Sequence, residues 1–293
     1  MKQALRLPAA VSILMLATAC ATVSLDEATC PSNAAVDELV AKFVALQPAP
    51  NPPASMTAEG AACGRDKFTL RLGQHFGQVV GYKAGLTNTA VQKRFDYFAP
   101  VRGTLFEKMI LEDGAVVPAK FGARPLYEAD LVVVVRSSEI HNARTPLEVL
   151  QQLTAIHPFI ELPDLVLEDP SKINGPALTF VNVGARLGVL GAPIPVRGAD
   201  PALAEALKTM TVRLLDAQGR ELDSARGSAV LDHPLNAAVW LAADLKRSGI
   251  TLKPGDLLSL GSFSRLLPPK PGTGAKVVYE GLPGNPSVSV SFR

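Results

Sequence analysis

The stretch Arg124-Pro-Leu-Tyr-Glu-Ala-Asp-Leu-Val-Val-Val-Val135 decides the fold of this chain. Its tail, from Leu131 to Val135, is an unbroken apolar run, mostly β-branched, which predicts a buried strand. Side chains alternate between the faces of a strand, so we expect Glu128 and Asp130 to point the same way, roughly 7 Å apart. Neighbouring carboxylates beside an apolar strand are tolerated when they are exposed, share a proton or hold a cation. The spacing alone leaves open a solvated strand end and a site for Mg²⁺, Mn²⁺ or Ca²⁺.

The composition bounds the class of protein. The chain has 293 residues, of which 47% are hydrophobic, enough for one large domain or two ordinary ones. Its 29 Lys and Arg residues nearly balance 27 Asp and Glu residues, giving a net charge of +2, and this argues against nucleic-acid binding. The 24 Pro and 23 Gly residues favour a strand-rich fold with many short connections.

Residues 1–20 predict an export signal. Lys2 and Arg6 supply a positive start, and residues 7–16 form a short apolar core. The small residues 17–19 follow as a cleavage site. The apolar run is too short to span a bilayer stably.

Cys20 follows this cleavage site directly. The stretch Leu16-Ala-Thr-Ala-Cys20 resembles the lipobox of bacterial lipoproteins, with Ala17 where leucine is usual. Cleavage before Cys20 and lipidation there would anchor the protein to a membrane. The alternative is ordinary secretion, with cleavage after Ala19 or Ala21. Either route predicts an exported bacterial protein, periplasmic or lipid-anchored to the cell envelope.

The other two cysteines fit an oxidising compartment. If Cys20 carries lipid, Cys30 and Cys63 remain as an even number. A bridge between them would close a loop of about 33 residues and stabilise the fold by roughly 3–4 kcal/mol. Two unrelated thiols are the alternative.

Local patterns divide the exported part into two units. Two capped amphipathic helices, at residues 33–46 and 57–76, flank a proline-rich connector at 47–55. They predict a small helical N-terminal lobe over 21–76, followed by a main domain over 77–293. Within the main domain the patterns predict further helices over 145–156 and 232–246, and strands over 101–106, 114–118, 179–190, 212–216, 221–228, 257–263 and 288–292.

Two charged residues interrupt apolar strands of the main domain. Lys83 lies within the strand pattern 78–87, where a lysine either extends to solvent or is desolvated and has a function. Glu161 lies within the strand 159–163, where a lone acid is costly unless it is paired or binds a ligand.

Several stretches, taken in order, resemble the fumarylacetoacetate hydrolase superfamily, specifically its 2-keto-4-pentenoate hydratase and 4-oxalocrotonate decarboxylase branch. The resemblance covers roughly residues 33–293 and rests on the ordered set rather than on one motif. The matching stretches are Val80-Gly-Tyr-Lys-Ala-Gly-Leu-Thr87, Gly103-Thr-Leu-Phe106, Tyr127-Glu-Ala-Asp-Leu131, Phe159-Ile-Glu161, the Asn182 segment, His233-Pro-Leu-Asn236 with Trp240-Leu-Ala242, Lys253-Pro-Gly-Asp256 and Leu260-Gly-Ser-Phe-Ser-Arg265.

The resemblance implies an α+β fold, a mixed β-roll of curved sheets like the C-terminal domain of fumarylacetoacetase, with a small helical N-terminal lobe. It also implies a divalent metal, Mg²⁺ or Mn²⁺, held by two acids on one strand and a third from a later segment. Those positions here are Glu128, Asp130 and Glu161. Asp130 stands where many members have glutamate.

The implied activity is a metal-dependent hydratase. A small 2-oxo acid would bind the metal through its carboxylate and keto oxygens, and water would add to the distal double bond of a 2-hydroxy-2,4-dienoate. The resemblance suggests a homo-oligomer for this enzyme of aromatic compound catabolism. The site residues it implies are Lys83, Ser262 and Ser264 for catalysis and Leu86, Asn182 and Arg265 for substrate binding.

Two departures from the family pattern keep other activities open. Val101-Arg102 precede Gly103 where many hydratases carry an acid, and Val181-Asn-Val-Gly-Ala185 stands where many carry Asp-Asn-Ala-Ser. Export is also unusual for a branch that works in the cytoplasm. The alternatives are a decarboxylase, an acylpyruvate-type hydrolase, or a non-catalytic envelope lipoprotein that binds a 2-oxo acid.

Overall fold

The computed structural model describes residues 29–293. The predicted export signal over 1–20 and the predicted lipidation site at Cys20 lie outside this range. Within the described range, no helix is both long enough and apolar enough to cross a membrane.

The described chain alternates helices and strands. Its α-helices are α1 (Asn33–Val44), α2 (Ala58–Phe76), α3 (Thr89–Arg94), α4 (Pro146–Gln151), α5 (Gly175–Phe180), α6 (Pro201–Thr209) and α7 (Pro234–Arg247). Its strands are β1 (Val79–Gly85), β2 (Val101–Phe106), β3 (Ile110–Glu112), β4 (Ala115–Val117), β5 (Glu128–Val135), β6 (Leu153–Leu162), β7 (Leu187–Leu190), β8 (Ile194–Pro195), β9 (Thr211–Asp216), β10 (Glu221–Arg226), β11 (Leu257–Ser259), β12 (Thr273–Glu280) and β13 (Ser287–Phe292).

Side-chain caps begin the longer helices. The amide of Ala35 donates to the Ser32 hydroxyl at the start of α1, and that of Gly60 donates to Thr57 at the start of α2. His233 caps α7 by accepting from the amide of Leu235. Each cap satisfies an amide that has no partner within its helix, so these local contacts fix where the helices start.

The strands form two mixed sheets. The eight-stranded sheet has the order β2-β1-β11-β5-β6-β7-β3, with β8 added beside β6, and the five-stranded sheet has the order β10-β9-β12-β13-β4. In the larger sheet β1 pairs with β11 in parallel, whereas β5 pairs with both β11 and β6 in antiparallel fashion. The predicted mixed roll with a small N-terminal helical region is confirmed.

Two apolar clusters fill the molecule. One lies between the two sheets and α7, and it contains the fully buried Leu131, Val133 and Val135 of β5. The other joins α1 and α2 to residues 165–167 and to α5. Because the second cluster crosses residue 76, the N-terminal helices complete their core with side chains from the main domain.

A disulfide fastens the N-terminal helices together. Cys30 and Cys63 are bonded, with their Cα atoms 5.5 Å apart. The bond joins the segment just before α1 to the second turn of α2.

Three of the predicted elements differ in the structure. The helix predicted over 145–156 ends at Gln151, because the residues from Leu153 onward pair with β5 as part of β6. The strand predicted over 179–190 begins only at Leu187, since the preceding segment contains the end of α5 and a short 3₁₀ turn. The strand predicted over 257–263 ends at Ser259, where the chain leaves the ladder as a loop.

One side chain of the smaller sheet connects it to the two central strands of the larger sheet. Tyr279 of β12 is fully buried, and its hydroxyl donates to the backbone carbonyl of Asp130 on β5. The same hydroxyl accepts from the backbone amide of Phe159 on β6, at 3.1 Å. Asp130 and Phe159 face each other across the ladder, so this phenol fixes both strands where they carry acidic side chains.

Replacement of this phenol tests its contribution. Tyr279→Phe should lower the free energy of unfolding by about 1–3 kcal/mol, because two buried backbone groups lose their partner. Urea denaturation followed by circular dichroism measures the change. Tyr97→Phe is the matched control, since the Tyr97 hydroxyl has no partner among residues 29–293. Equal stability losses in the two variants would contradict the role given to Tyr279.

Candidate active site

Register across two strands places two glutamates face to face. Glu128 is the first residue of β5, and its direct cross-strand partner on β6 is Glu161. Directly opposite side chains in an antiparallel pair have Cβ atoms about 5 Å apart and share one face of the sheet. Both glutamates line a cavity of about 540 Å³.

The side chain of Lys83 lines the same cavity, although its strand, β1, is not adjacent to β5 or β6. In the order β1-β11-β5-β6, three strand spacings separate it from Glu161, which is about 14 Å in a flat sheet. Its ammonium nevertheless donates to a carboxylate oxygen of Glu161 and, at 3.0 Å, to the carbonyl of Val183. The side chains of Lys83 and Glu161 are each only 4% exposed. The curl of the sheet therefore buries this ion pair, and Lys83 does not extend to solvent.

The carboxylate of Asp130 forms its hydrogen bonds away from the cavity. The Ser259 hydroxyl donates to its Oδ2 at 2.5 Å, and the amides of Leu131 and Gly261 donate to Oδ1 at 2.5 and 2.9 Å. The amide of Leu260 donates to the same Oδ1 at 3.2 Å. Asp130 is fully buried and does not line the cavity, so its carboxylate anchors the loop after β11 to β5.

The crowding of acids changes their protonation. Poor solvation, together with the negative charge of Glu161, raises the pKa of Glu128 well above its ordinary value, although Lys83 and a hydrogen bond from Ser262 act in the opposite direction. Burial, again with Glu161 nearby, raises the pKa of Asp130 to about 7 despite its hydrogen bonds. The positive charge of one ammonium therefore stabilises the ionised forms of three carboxyl groups. Additional positive charge would stabilise them further.

A divalent cation fits the part of this site that faces the cavity. Mg²⁺ in proteins is commonly held by one or two carboxylates, with the remaining positions filled by water and substrate oxygens. Glu128 and Glu161 supply two such carboxylates. The predicted three-acid arrangement needs correction, however, because within residues 29–293 no three His, Cys, Asp or Glu side chains converge to hold a metal. Asp130 is kept apart by its four hydrogen bonds.

The two predicted catalytic serines lie on the loop that follows β11, and both line the cavity. The Ser262 hydroxyl contacts the backbone carbonyl and amide of Ser264 at 2.8 and 3.1 Å, and its proximity lowers the pKa of Glu128. The Ser264 hydroxyl accepts from the amide of Ala129 at 2.9 Å. Ser264 therefore holds the loop against the acidic end of β5, and Ser262 shapes the loop beside a cavity glutamate.

The predicted substrate-binding residues separate into two groups. Leu86 and Arg265 line the cavity, and Arg265 is paired with Asp223 at 3.2 Å. Asn182 is fully buried away from the cavity lining, where its amide group accepts from and donates to the backbone of Thr104 at 2.7 and 2.9 Å. The assignment of Asn182 to substrate binding is corrected accordingly, because its polar atoms are used to hold β2.

Asn182 still affects the site indirectly. It and Val183 both adopt left-handed backbone conformations, with φ of 57° and 55°. Non-glycine residues rarely take up this conformation unless tertiary contacts hold them there. The turn they form presents the Val183 carbonyl to the Lys83 ammonium.

The departure at Val101-Arg102 also has a structural explanation. Arg102 is buried and points to α7, where its Nε donates to Asp244 at 2.7 Å and its Nη2 donates to Ser248 at 3.1 Å. Neither Val101 nor Arg102 lines the cavity. This arginine therefore ties β2 to α7 and adds no charge to the site.

Sequence reasoning missed several cavity residues, among them Arg94, Phe95 and Asp223. Arg94 and Phe95 come from the end of α3, and Asp223 comes from β10 of the smaller sheet. No local pattern around Asp223 marks it, because only the packing of one sheet on the other brings it to the cavity. Arg94 and Phe95 closely follow the matched stretch 80–87, which is the only signal that pointed toward them.

The chain is similar to known hydratases over most of its length. No family model matches the chain. It is 31% identical over 201 residues to 2-keto-4-pentenoate hydratase of Paraburkholderia xenovorans (strain LB400), covering 67% of this chain and 70% of that protein. It is 32% identical over 216 residues to 2-keto-4-pentenoate hydratase 1 of Dechloromonas aromatica (strain RCB), covering 72% and 77%. It is also 31% identical over 219 residues to 2-hydroxyhexa-2,4-dienoate hydratase of Comamonas testosteroni, covering 73% and 79%.

A solved structure gives the same fold. The 4-oxalocrotonate decarboxylase from Pseudomonas putida G7, complexed with magnesium and adipate, superposes with a TM-score of 0.77 at 23% identity. The match covers 89% of this chain and 97% of that one. At 23% sequence identity, this similarity shows that the two chains share a fold.

A double-mutant cycle tests the buried ion pair. Lys83→Met should lower the free energy of unfolding by about 3–5 kcal/mol in metal-free buffer, because it leaves a buried carboxylate without its partner. Adding Glu161→Gln should recover part of that loss, which urea denaturation would show. Lys276→Met, on an exposed position of β12, is the control. If the losses of unfolding free energy in the two single variants simply add up in the double variant, Lys83 and Glu161 are not coupled.

The pH dependence of stability tests the environment of Glu128. Its pKa is higher in the folded protein than in the unfolded chain, so the folded state holds a proton that ionisation removes as pH rises. In metal-free buffer, wild type should lose stability relative to Glu128→Gln between pH 5 and pH 8. Urea denaturation across this range measures the difference. Parallel stability curves would show that Glu128 has no raised pKa.

Proposed function

Because the chain belongs to the 2-keto-4-pentenoate hydratase branch of the fumarylacetoacetate hydrolase superfamily, we propose that it adds water to a 2-hydroxy-2,4-dienoate in a reaction that requires a divalent metal. Membership of this branch makes it a carbon–oxygen lyase. The observation that carries the proposal is the convergence of Glu128, Glu161 and Lys83 on one cavity.

Glu128 and Glu161 are the residues that would hold the metal. Their carboxylate oxygens are hard donors that suit Mg²⁺ or Mn²⁺. When bound, such an ion supplies Lewis-acid polarisation of the 2-oxo group. Asp130 supports the site indirectly, because its hydrogen bonds from Ser259 and Gly261 fix the loop that carries Ser262.

The reaction requires two proton movements. The dienol loses its 2-hydroxyl proton while carbon 5 gains one, which gives a 2-oxo-3-enoate. Water then adds its oxygen to carbon 4 and a proton to carbon 3, which gives a 4-hydroxy-2-oxo acid. The groups available to move these protons are the Lys83 ammonium, the Glu161 carboxylate and the Ser262 hydroxyl, all of which line the cavity.

In this scheme the Lys83 ammonium exchanges one of its two acceptors for the substrate carboxylate. Its ammonium is shared between Glu161 and the Val183 carbonyl, so a substrate carboxylate that displaces one of them keeps it paired. Burial strengthens each of these interactions, because water competes poorly in the cavity. Lys83 is therefore proposed to orient the substrate and to exchange a proton with it.

The packing around the site favours turnover over a purely structural function. Apolar side chains, among them Leu86, Phe95 and Leu178, line the cavity beside the charged group. They would shield a conjugated dienoate from bulk water while leaving the acids accessible from the cavity. At the two departures from the family pattern, Arg102 and Asn182 are occupied by structural contacts, whereas Val183 of the second departure lines the cavity.

A metal-dependence assay tests the function. The mature protein, stripped of metal and then supplied with Mg²⁺ or Mn²⁺, should consume 2-hydroxypenta-2,4-dienoate, seen as loss of dienol absorbance. Glu161→Gln and Glu128→Gln should each lower kcat/KM by about 100-fold or more. Glu112→Gln, an exposed acid on β3, should leave it unchanged.

Product analysis separates this function from its alternatives. Formation of a 4-hydroxy-2-oxo acid supports the hydratase. Release of CO₂ from a dicarboxylic substrate, or cleavage of an acylpyruvate, would move the assignment to a decarboxylase or a hydrolase. Metal-dependent binding without turnover of any of these substrates would identify a 2-oxo-acid-binding protein.

We also propose that the enzyme works outside the cytoplasm. The Cys30–Cys63 bond supports this, since disulfides persist mainly in oxidising compartments. In a bacterial host, the full chain should incorporate labelled fatty acid and fractionate with membranes, whereas Cys20→Ser should lose the label. An unlabelled wild-type protein in the cytoplasmic fraction would contradict both export and lipidation.

A further inference from the structure

One positive charge in the cavity lining has no anionic partner among the residues that the structure describes. Three basic side chains line it, namely Lys83, Arg94 and Arg265. Lys83 is paired with Glu161, and Arg265 is paired with Asp223. In the part of the chain that the structure describes, the Arg94 guanidinium has neither an ion-pair nor a hydrogen-bond partner.

Arg94 is held at the cavity by its neighbour. Its guanidinium carbon lies 5.7 Å from the centroid of the Phe95 ring, within the range of a cation–π contact. Phe95 is itself buried and anchors the end of α3 in the second apolar cluster. The aromatic contact leaves all five guanidinium N–H groups free for an acceptor.

Arg94 lies on a different element from the reacting groups. Lys83 lies on β1, and the turn through Leu86 leads to α3, whose six residues extend about 9 Å. Arg94 is the last residue of that helix and is exposed to solvent. Apolar side chains, including Leu86 and Val91, also line the cavity. The cavity thus combines a charged catalytic group, an apolar lining and a guanidinium that no described residue pairs.

We propose that Arg94 binds a second carboxylate, at the far end of the substrate, so that the preferred substrates are dicarboxylic 2-oxo or 2-hydroxydienoic acids. This inference rests on the proposed function, which places the first carboxylate beside Lys83. A planar guanidinium matches a carboxylate by paired hydrogen bonds. The cavity volume of about 540 Å³ leaves room for a substrate longer than a five-carbon acid.

Two saturated ligands of equal chain length test the inference. Calorimetric titration in Mg²⁺ should show that wild type binds 2-oxohexanedioate about fivefold more tightly than 2-oxohexanoate, a modest preference because Arg94 is exposed. Arg94→Gln should lose the preference by weakening only the dicarboxylate. Lys93→Gln removes an adjacent charge that does not line the cavity, and it should keep the preference.

Two results would overturn the inference. One is an absence of preference in wild type, and the other is an equal loss of affinity for both ligands in Arg94→Gln, which would assign Arg94 to the carboxylate that they share. Neither ligand has a carbon–carbon double bond to hydrate. The dicarboxylate preference can therefore be found even if the hydratase assay fails, and an active hydratase can lack the preference.

Discussion

The buried contact between Lys83 and Glu161 is the constraint on which the site depends. The two residues lie on strands separated by β11 and β5, and their side chains meet only because the larger sheet curls. Neither charge can be buried alone without a large cost, so the curl of the sheet and the pairing of the charges support each other. The carbonyl of Val183 is a second acceptor for the ammonium, and Asn182 fixes the turn that presents it.

A second set of contacts shapes the acidic end of β5. Asp130 receives four hydrogen bonds, three of them from Ser259 and the following loop, while the phenol of Tyr279 holds the backbone of β5 and β6 from the opposite sheet. These contacts give a buried aspartate a supporting role in a site where a direct metal ligand was expected. They also explain how a short loop can carry two serines to the cavity in a fixed position.

The proposed chemistry follows from an imbalance of charge. One ammonium serves three carboxyl groups, and the result is a raised pKa at Glu128 and at Asp130. A divalent cation and a substrate with two oxygen donors would relieve this imbalance, which gives the site a physical reason to bind both. In the lining of the same cavity the imbalance is reversed at Arg94, a cation that has no ion-pair partner among residues 29–293.

The sequence by itself determined the local features. Capping patterns at residues 32–33, 57 and 232–233 predicted the helix starts, the apolar run of β5 predicted a buried strand, and the ordered family stretches identified the roll and many of the cavity residues. Only the tertiary structure decided which acids face the cavity, that Asn182 holds β2, and that Arg94 and Asp223 line the site. The physical reason is that caps and strand patterns depend on neighbours along the chain. Side-chain partners instead depend on sheet curvature and on the packing of distant segments.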